Sequence, residues 1–299
     1  MYKDKPDGKI SFSKPAESLS GTVQITSDMT DGNGSGIKSS SLRVKKENGT
    51  IVETIYDNFT TSSVTRAFDT TNLKNGKYNA ELTIEDVAGH KSVITKAIQI
   101  KNALPSPTLS GSYDNVNHGK ISWKVKQEEG NTVKYIEYKL EGQSEWTRVG
   151  SSAKEEGTFE VTLPKDPGVY TFYVRAVNED DIPGKEGTVQ CIFDNEKPVV
   201  EIQSVRGGLI RGTIKDMYLK NWKIEVKEKA QSVEKYHQIA TGTGQINSGL
   251  IKKIVFNPRE YQTGITYDFK LTAYDRAGNS SSTEISHTIT KEDNGIKLI

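Results

Sequence analysis

Cysteine is almost missing from this chain: a single residue, Cys191, stands among 299. A lone thiol closes no internal disulfide, so burial and strand pairing must hold the fold. Long hydrophobic runs are missing too. No segment approaches the ~18 apolar residues of a membrane span, which excludes insertion by this segment. The opening Met1-Tyr2-Lys3-Asp4 lacks the apolar region of a signal peptide. That abrupt start, and the equally abrupt end at Ile299, suggest a piece of a longer protein. Neither sign of charge is in excess: 40 basic residues face 39 acidic ones. The balance supplies no long-range field for nucleic acid or anionic lipid. Long helical periodicity is absent as well.

Apolar residues are also few. Hydrophobic side chains make up 33% and aromatics 8%, against the ~45–50% (counted with Gly) of ordinary globular domains. Thin two-layer domains tolerate such a composition, because much of their surface stays in water. Several small cores are expected rather than one large one.

What is present is a repeat. Gly76-Lys77-Tyr78 leads into a stretch ending at Asp86, Gly168-Val169-Tyr170 into one ending at Asn178, and Gly264-Ile265-Thr266-Tyr267 into one ending at Asp275. Tyrosine-to-Asx spacing is the same each time. The tyrosines recur at roughly the ~100-residue size of one β-sandwich module. Between them apolar and mostly polar residues alternate: Tyr78, Ala80, Leu82 and Ile84 share one face, as do Tyr170, Phe172, Val174 and Ala176, and Tyr267, Phe269, Leu271 and Ala273. Period two with one apolar face predicts a strand between core and water. A tyrosine at such a strand's start predicts a tyrosine corner, its hydroxyl bonded to backbone upstream. The closing Asp or Asn predicts a turn, with Asp86-Val87-Ala88-Gly89-His90 and Asp275-Arg276-Ala277-Gly278-Asn279 as near-identical tips. Last strands are expected over 93–100, 188–193 and 282–290.

Proline-bearing linkers at 101–107 and 194–198 then divide the chain into 1–102, 103–196 and 197–299, the last with a short tail. The fold expected is all-β, three tandem sandwiches in an elongated row of ~100–120 Å.

Residues 76–100 and 264–290, with Gly-x-Tyr, the alternating strand and Asp-x-Ala-Gly-Asn or -His, resemble bacterial immunoglobulin-like repeats of cell-surface proteins. Leu19-Ser20-Gly21-Thr22-Val23-Gln24-Ile25 and Gly34-Ser35-Gly36-Ile37 add to that likeness. The middle module, with Pro105-Ser106-Pro107, Ile121-Ser122-Trp123 and Tyr170 to Asn178, is similar to fibronectin type III domains. Ile210 to Asp216 resembles the opening strands of modules in Gram-positive wall-associated proteins, including those preceding Rhs-type repeats. The resemblance implies an extracellular or surface-attached bacterial parent, in which such modules serve as stalks, spacers or adhesive heads. A glycan- or protein-binding module, or an accessory region of a secreted enzyme or toxin, are the alternatives. A host or cell-wall glycan or protein is the partner class, and a monomer is expected.

Site candidates are few. Asp28, Asp31, Asn33 and Ser35, with interleaved glycines, have the alternating oxygens of a calcium loop, but Leu42 stands where an EF-hand needs an acid. Turn chemistry is the competing reading. Asp86, Asn178 and Asp275, with Asp194 or Glu196 nearby, could line module junctions and hold Ca²⁺; turn formation again competes. No other cofactor is expected. Tyr138, Trp146 and Trp222 are aromatic candidates for a sugar platform, against packing in a core or at a sheet edge. Trp123 matches a core tryptophan. His90, His118, His237 and His287 have no metal-ligand spacing. Gln190 and Cys191 point to opposite faces of a strand and cannot form a thioester. A Lys–Asn isopeptide bond stays open, with no pair identifiable. An enzyme is not expected.

Overall fold

A computed structural model describes residues 5–32, 34–149, 155–230, 235–253 and 260–293. The described chain is all-β apart from two single-turn 3₁₀ segments, Ala16–Ser18 and Thr70–Asn72. By internal contacts it parts into two compact units. One comprises 1–109, 123–157 and 172–188; the other comprises 110–122, 158–171 and 189–299.

The first unit begins with β1 (Asp7–Phe12), β2 (Thr22–Thr30), β3 (Ile37–Lys46), β4 (Ile51–Phe59), β5 (Ser63–Asp69), β6 (Gly76–Asp86) and β7 (Lys91–Ile100). They form two antiparallel sheets in the orders β1-β2-β5 and β4-β3-β6-β7. The expected alternation on β6 is what closes them: Tyr78, Ala80, Leu82 and Ile84 are buried, with Asn79, Glu81 and Thr83 between them only partly covered. They share one core with Val23, Ile25 and Phe68 from the facing sheet. Burial of each large aliphatic side chain stabilises by about 1.5–3 kcal/mol. The sheets approach closely enough to require a glycine. A Cβ on Gly8 would lie 2.8 Å from Ile84 Cδ1.

Residues 103–196 contribute β8 (Thr108–Gly111), β9 (Tyr113–Asp114), β10 (His118–Lys124), β11 (Val133–Leu140), β12 (Thr147–Val149), β13 (Glu156–Thr162), β14 (Gly168–Asn178) and β15 (Gly187–Phe193). Their sheet orders are β13-β10-β8 and β12-β11-β14-β15-β9, with β9 joining β15 in parallel. Their residues are shared out between the two units.

The second unit ends with β16 (Val199–Arg206), β17 (Leu209–Lys215), β18 (Leu219–Glu228), β19 (His237–Gly242), β20 (Ile246–Lys253), β21 (Thr266–Asp275) and β22 (Ser280–Thr288). The orders are β16-β17-β20 and β19-β18-β21-β22. Tyr267, Phe269, Leu271 and Ala273 of β21 share a core with Ile210, Ile214, Trp222 and Ile224. The last strands β7, β15 and β22 fall within two residues of where the sequence places them.

Candidate functional site

All three tyrosines make the corner that their position predicts. Tyr78 Oη donates to the Lys74 carbonyl at 3.0 Å, Tyr170 Oη to that of Asp166, and Tyr267 Oη to that of Glu260 at 3.1 Å. Tyr267 also accepts the Gln262 amide at 3.2 Å. Each Asx at the far end of the strand accepts a backbone amide four residues on. Asp86 Oδ1 takes that of His90 at 2.7 Å, Asn178 Oδ1 that of Ile182 at 2.9 Å, and Asp275 Oδ1 that of Asn279 at 2.7 Å. The repeat read from the sequence is a set of six side chains that fix their own backbone.

Asp275 does something further. Its carboxyl group lies with those of Asp194 and Asp216, one oxygen from each falling within 4.8 Å of the others. Asp194 comes from the linker after β15, Asp216 from the end of β17, and Asp275 from the end of β21. Asp194 is 7% exposed and Asp275 only 2%. The nearest amides hold the carboxylates individually: Glu196 N donates to Asp194 and Tyr218 N to Asp216, at 3.0 and 2.7 Å. Arg276, adjacent in sequence, turns instead to Tyr113, donating to its hydroxyl at 3.2 Å. Burial, reinforced by the charge of Asp275, raises the pKa of Asp194. Burial and the charges of Asp194 and Asp275 do the same for Asp216. Such a cluster relieves its repulsion by keeping a proton or by taking a hard cation. Of the junction residues named from sequence, Asp194 and Asp275 meet here. Asp216 closes the segment Ile210 to Asp216, and nothing in its sequence neighbourhood signals that it joins them.

The other two Asx positions are different. Asp86 pairs with His90 Nδ1 at 2.8 Å. Asn178 belongs to an amide network: its Nδ2 donates to Asn131 Oδ1 at 3.0 Å, while Asn75 and Asn102 exchange side-chain and backbone bonds at 2.7 and 2.9 Å.

The loop after β2 is a tight turn. Asp31 Oδ2 accepts Gly36 N at 2.7 Å and its carbonyl accepts Gly34 N at 2.7 Å. Ser35 Oγ accepts Ala88 N at 2.9 Å, and Asp28 Oδ1 accepts Ser63 Oγ at 2.7 Å on the neighbouring strand. Among the described residues, Asp31 Oδ1 is buried with no hydrogen-bond partner. Asn33 lies outside the described residues. Leu42 is fully buried in the first core.

Trp222 is a core residue whose Nε1 donates to the Gly244 carbonyl at 3.1 Å. Tyr138 packs edge-on to buried Phe172 with 6.1 Å between ring centroids. Trp146 is half-buried and outside both core clusters, its ring faced by Lys139 Nζ at 4.7 Å and Arg175 Cζ at 4.0 Å. Trp123 is buried, with Gly157 against its indole. Cys191 is buried beside exposed Gln190, and burial pushes its thiol pKa up. Among the described residues no lysine amine is hydrogen-bonded to an asparagine side chain. His118 lies 3.3 Å from Glu160 and His287 2.8 Å from Asp293.

Asp293 belongs to no motif in the sequence. It takes Gly207 N on Oδ1, and Thr290 N and His287 on Oδ2, tying the chain after β22 to the β16–β17 hairpin. No helix among the described residues is long and apolar enough to cross a membrane.

A family model of the bacterial Ig-like domain matches residues 13–102 and 218–292, together more than half the chain. No curated protein matches it significantly. Among solved structures, the FN1–FN3 domains of chicken CNTN1 are 17% identical over 96% of this chain and 99% of theirs, with a TM-score of 0.41. A tetra-tandem repeat from the extending region of a large adhesion protein is 14% identical over 94% of this chain and 74% of that one, TM-score 0.30. Clostridium thermocellum CbhA fibronectin(III)-like modules are 14% identical over 62% and 94%, TM-score 0.27. At these identities and TM-scores the likeness carries no argument about function.

Proposed function

The chain belongs to the family of bacterial Ig-like domains, and on that footing we propose that it is a non-catalytic structural or adhesive segment of a larger protein. It serves as a stalk or spacer at the surface of a Gram-positive bacterium or in a secreted protein. Its modules run over 1–102, 103–196 and 197–299, the middle one fibronectin-like, and it works as a monomer. One observation carries this reading: the polar residues that recur along the chain, three tyrosines and three Asx, all bind their own backbone. A chain that repeats only what holds each module together is built to repeat modules. The state of its one thiol supports the non-catalytic part, since a buried cysteine with a raised pKa is the reverse of an activated nucleophile.

Small-angle scattering from the whole chain tests the spacer. The expected maximum dimension is the ~100–120 Å of three sandwiches end to end. A compact particle overturns it.

A further inference from the structure

The outward face of the β12-β11-β14 sheet carries an ordered layer of cations and aromatic rings. Register places Arg148, Glu137 and Arg175 side by side across the three strands, and sets Lys139 opposite Tyr173. Ile136 and Phe172 are buried on the inner side. Because strand side chains alternate, Tyr135, Glu137 and Lys139 therefore share the outer side with Tyr173 and Arg175. Trp146, two residues before Arg148, joins them.

Within this layer every cation sits on a ring. Arg148 lies 3.9 Å from the centroid of Tyr135 and Arg175 4.0 Å from that of Trp146. Lys139 Nζ is 4.7 Å from Trp146 and 5.5 Å from Tyr173. Arg175 is ion-paired with Glu137. Lys139 and Arg148 have no carboxylate partner among the described residues. Stacking holds a guanidinium or ammonium in place without neutralising it. Two uncompensated cations are thus preset on a flat surface, with half-covered aromatic rings between them.

We propose that this face binds an anionic polysaccharide, a chain of pyranose rings bearing carboxylate or sulfate groups. The cations meet the anionic substituents, and the aromatic edges meet the apolar faces of the sugar rings. Charge complementarity selects the occupant: the two acids that reach this layer, Glu137 of β11 and Glu186 just before β15, both pair with Arg175, leaving Lys139 and Arg148 to an anionic ligand. The open sheet suits a polymer lying across it, because small ligands need concave sites. Arg148 and Arg175 stand two strand spacings apart, about 9–10 Å, comparable to one disaccharide. Since the stacked cations are already ordered, little side-chain entropy is lost on binding. The inference adds a ligand to the spacer reading, and its failure leaves the scattering result untouched.

The test measures binding of the whole chain to heparin, hyaluronate, neutral dextran and polyglutamate by isothermal calorimetry. Binding to heparin or hyaluronate but not dextran is expected, weakening as salt rises. Lys139→Gln with Arg148→Gln should lower affinity about tenfold, some 1.4 kcal/mol, with an unchanged circular dichroism spectrum. Lys252→Gln with Lys253→Gln removes equal charge from exposed positions on β20 and should shift affinity less than about twofold. Equal losses in the two variants, no binding by the wild type, or preference for polyglutamate overturns the proposal. A measurement on the unaltered chain guards against misfolded variants: heparin should shield Lys139 from amine acetylation and leave Lys252 reactive. Unshielded Lys139 overturns the proposal too.

Discussion

Asn279 Nδ2 donates to Asp275 Oδ2 at 2.8 Å. The same nitrogen also stands 2.8 Å from the Asp194 carbonyl. One amide thus ties a strand end to a linker, at the place where three carboxylates crowd together.

That crowding has a sign. Asp194 and Asp216 have raised pKa values in the folded chain, so the folded state holds their protons more tightly than the unfolded state does. Their contribution turns unfavourable as pH rises from the ordinary aspartate value of 3.8 through the raised folded values. Asp216→Asn should therefore raise the melting temperature at pH 7 by about 2–5 °C. Calorimetry at pH 3.5 should show the gain largely gone. A gain independent of pH would mean that charge repulsion is not the cause.

Asp293 has the opposite sign. Burial raises it, but the Thr290 amide and hydroxyl, His287 and the Gly207 amide outweigh burial and hold the carboxyl below the usual range. Its contribution is complete above 3.8 and is lost as pH falls through the lowered folded value. Asp293→Asn should cost about 1–3 kcal/mol at pH 7, read from urea denaturation, and less in acid.

The tyrosine corners differ in burial, and that grades their worth. Tyr78 and Tyr267 are buried, whereas the bond from Tyr170 is exposed. Replacing Tyr78 or Tyr267 by Phe should cost about 0.5–1.5 kcal/mol each. Water replaces the lost bond at Tyr170→Phe, which should cost least. Denaturant midpoints of the three variants decide the order.

Cys191 should be silent toward a thiol reagent in the native chain. Its raised pKa and full burial leave almost no accessible thiolate. Stoichiometric labelling with an aromatic disulfide at pH 8 is expected only after denaturant is added.

Period-two alternation is a local property, so β6, β14 and β21 could be read from residues alone. Their corners and turns followed, because the partners lie within a few residues. Asp216 could not be placed beside Asp194 and Asp275, since nothing local to it reports where two other segments end. Trp146 and Trp222 look alike in sequence: each is a tryptophan among charged and polar neighbours. Packing separates them: Trp146, just before β12, lies against Lys139 and Arg175 on the outer side of β11 and β14, and Trp222 of β18 faces the core. The layer over β11 needed two registers at once, neither visible without the paired strands.

The tyrosine hydroxyls find their carbonyls only four, four and seven residues upstream. Such a latch closes early and needs nothing from the neighbouring module. A gene segment encoding one sandwich carries this fastening with it through any duplication, deletion or transfer between coding sequences.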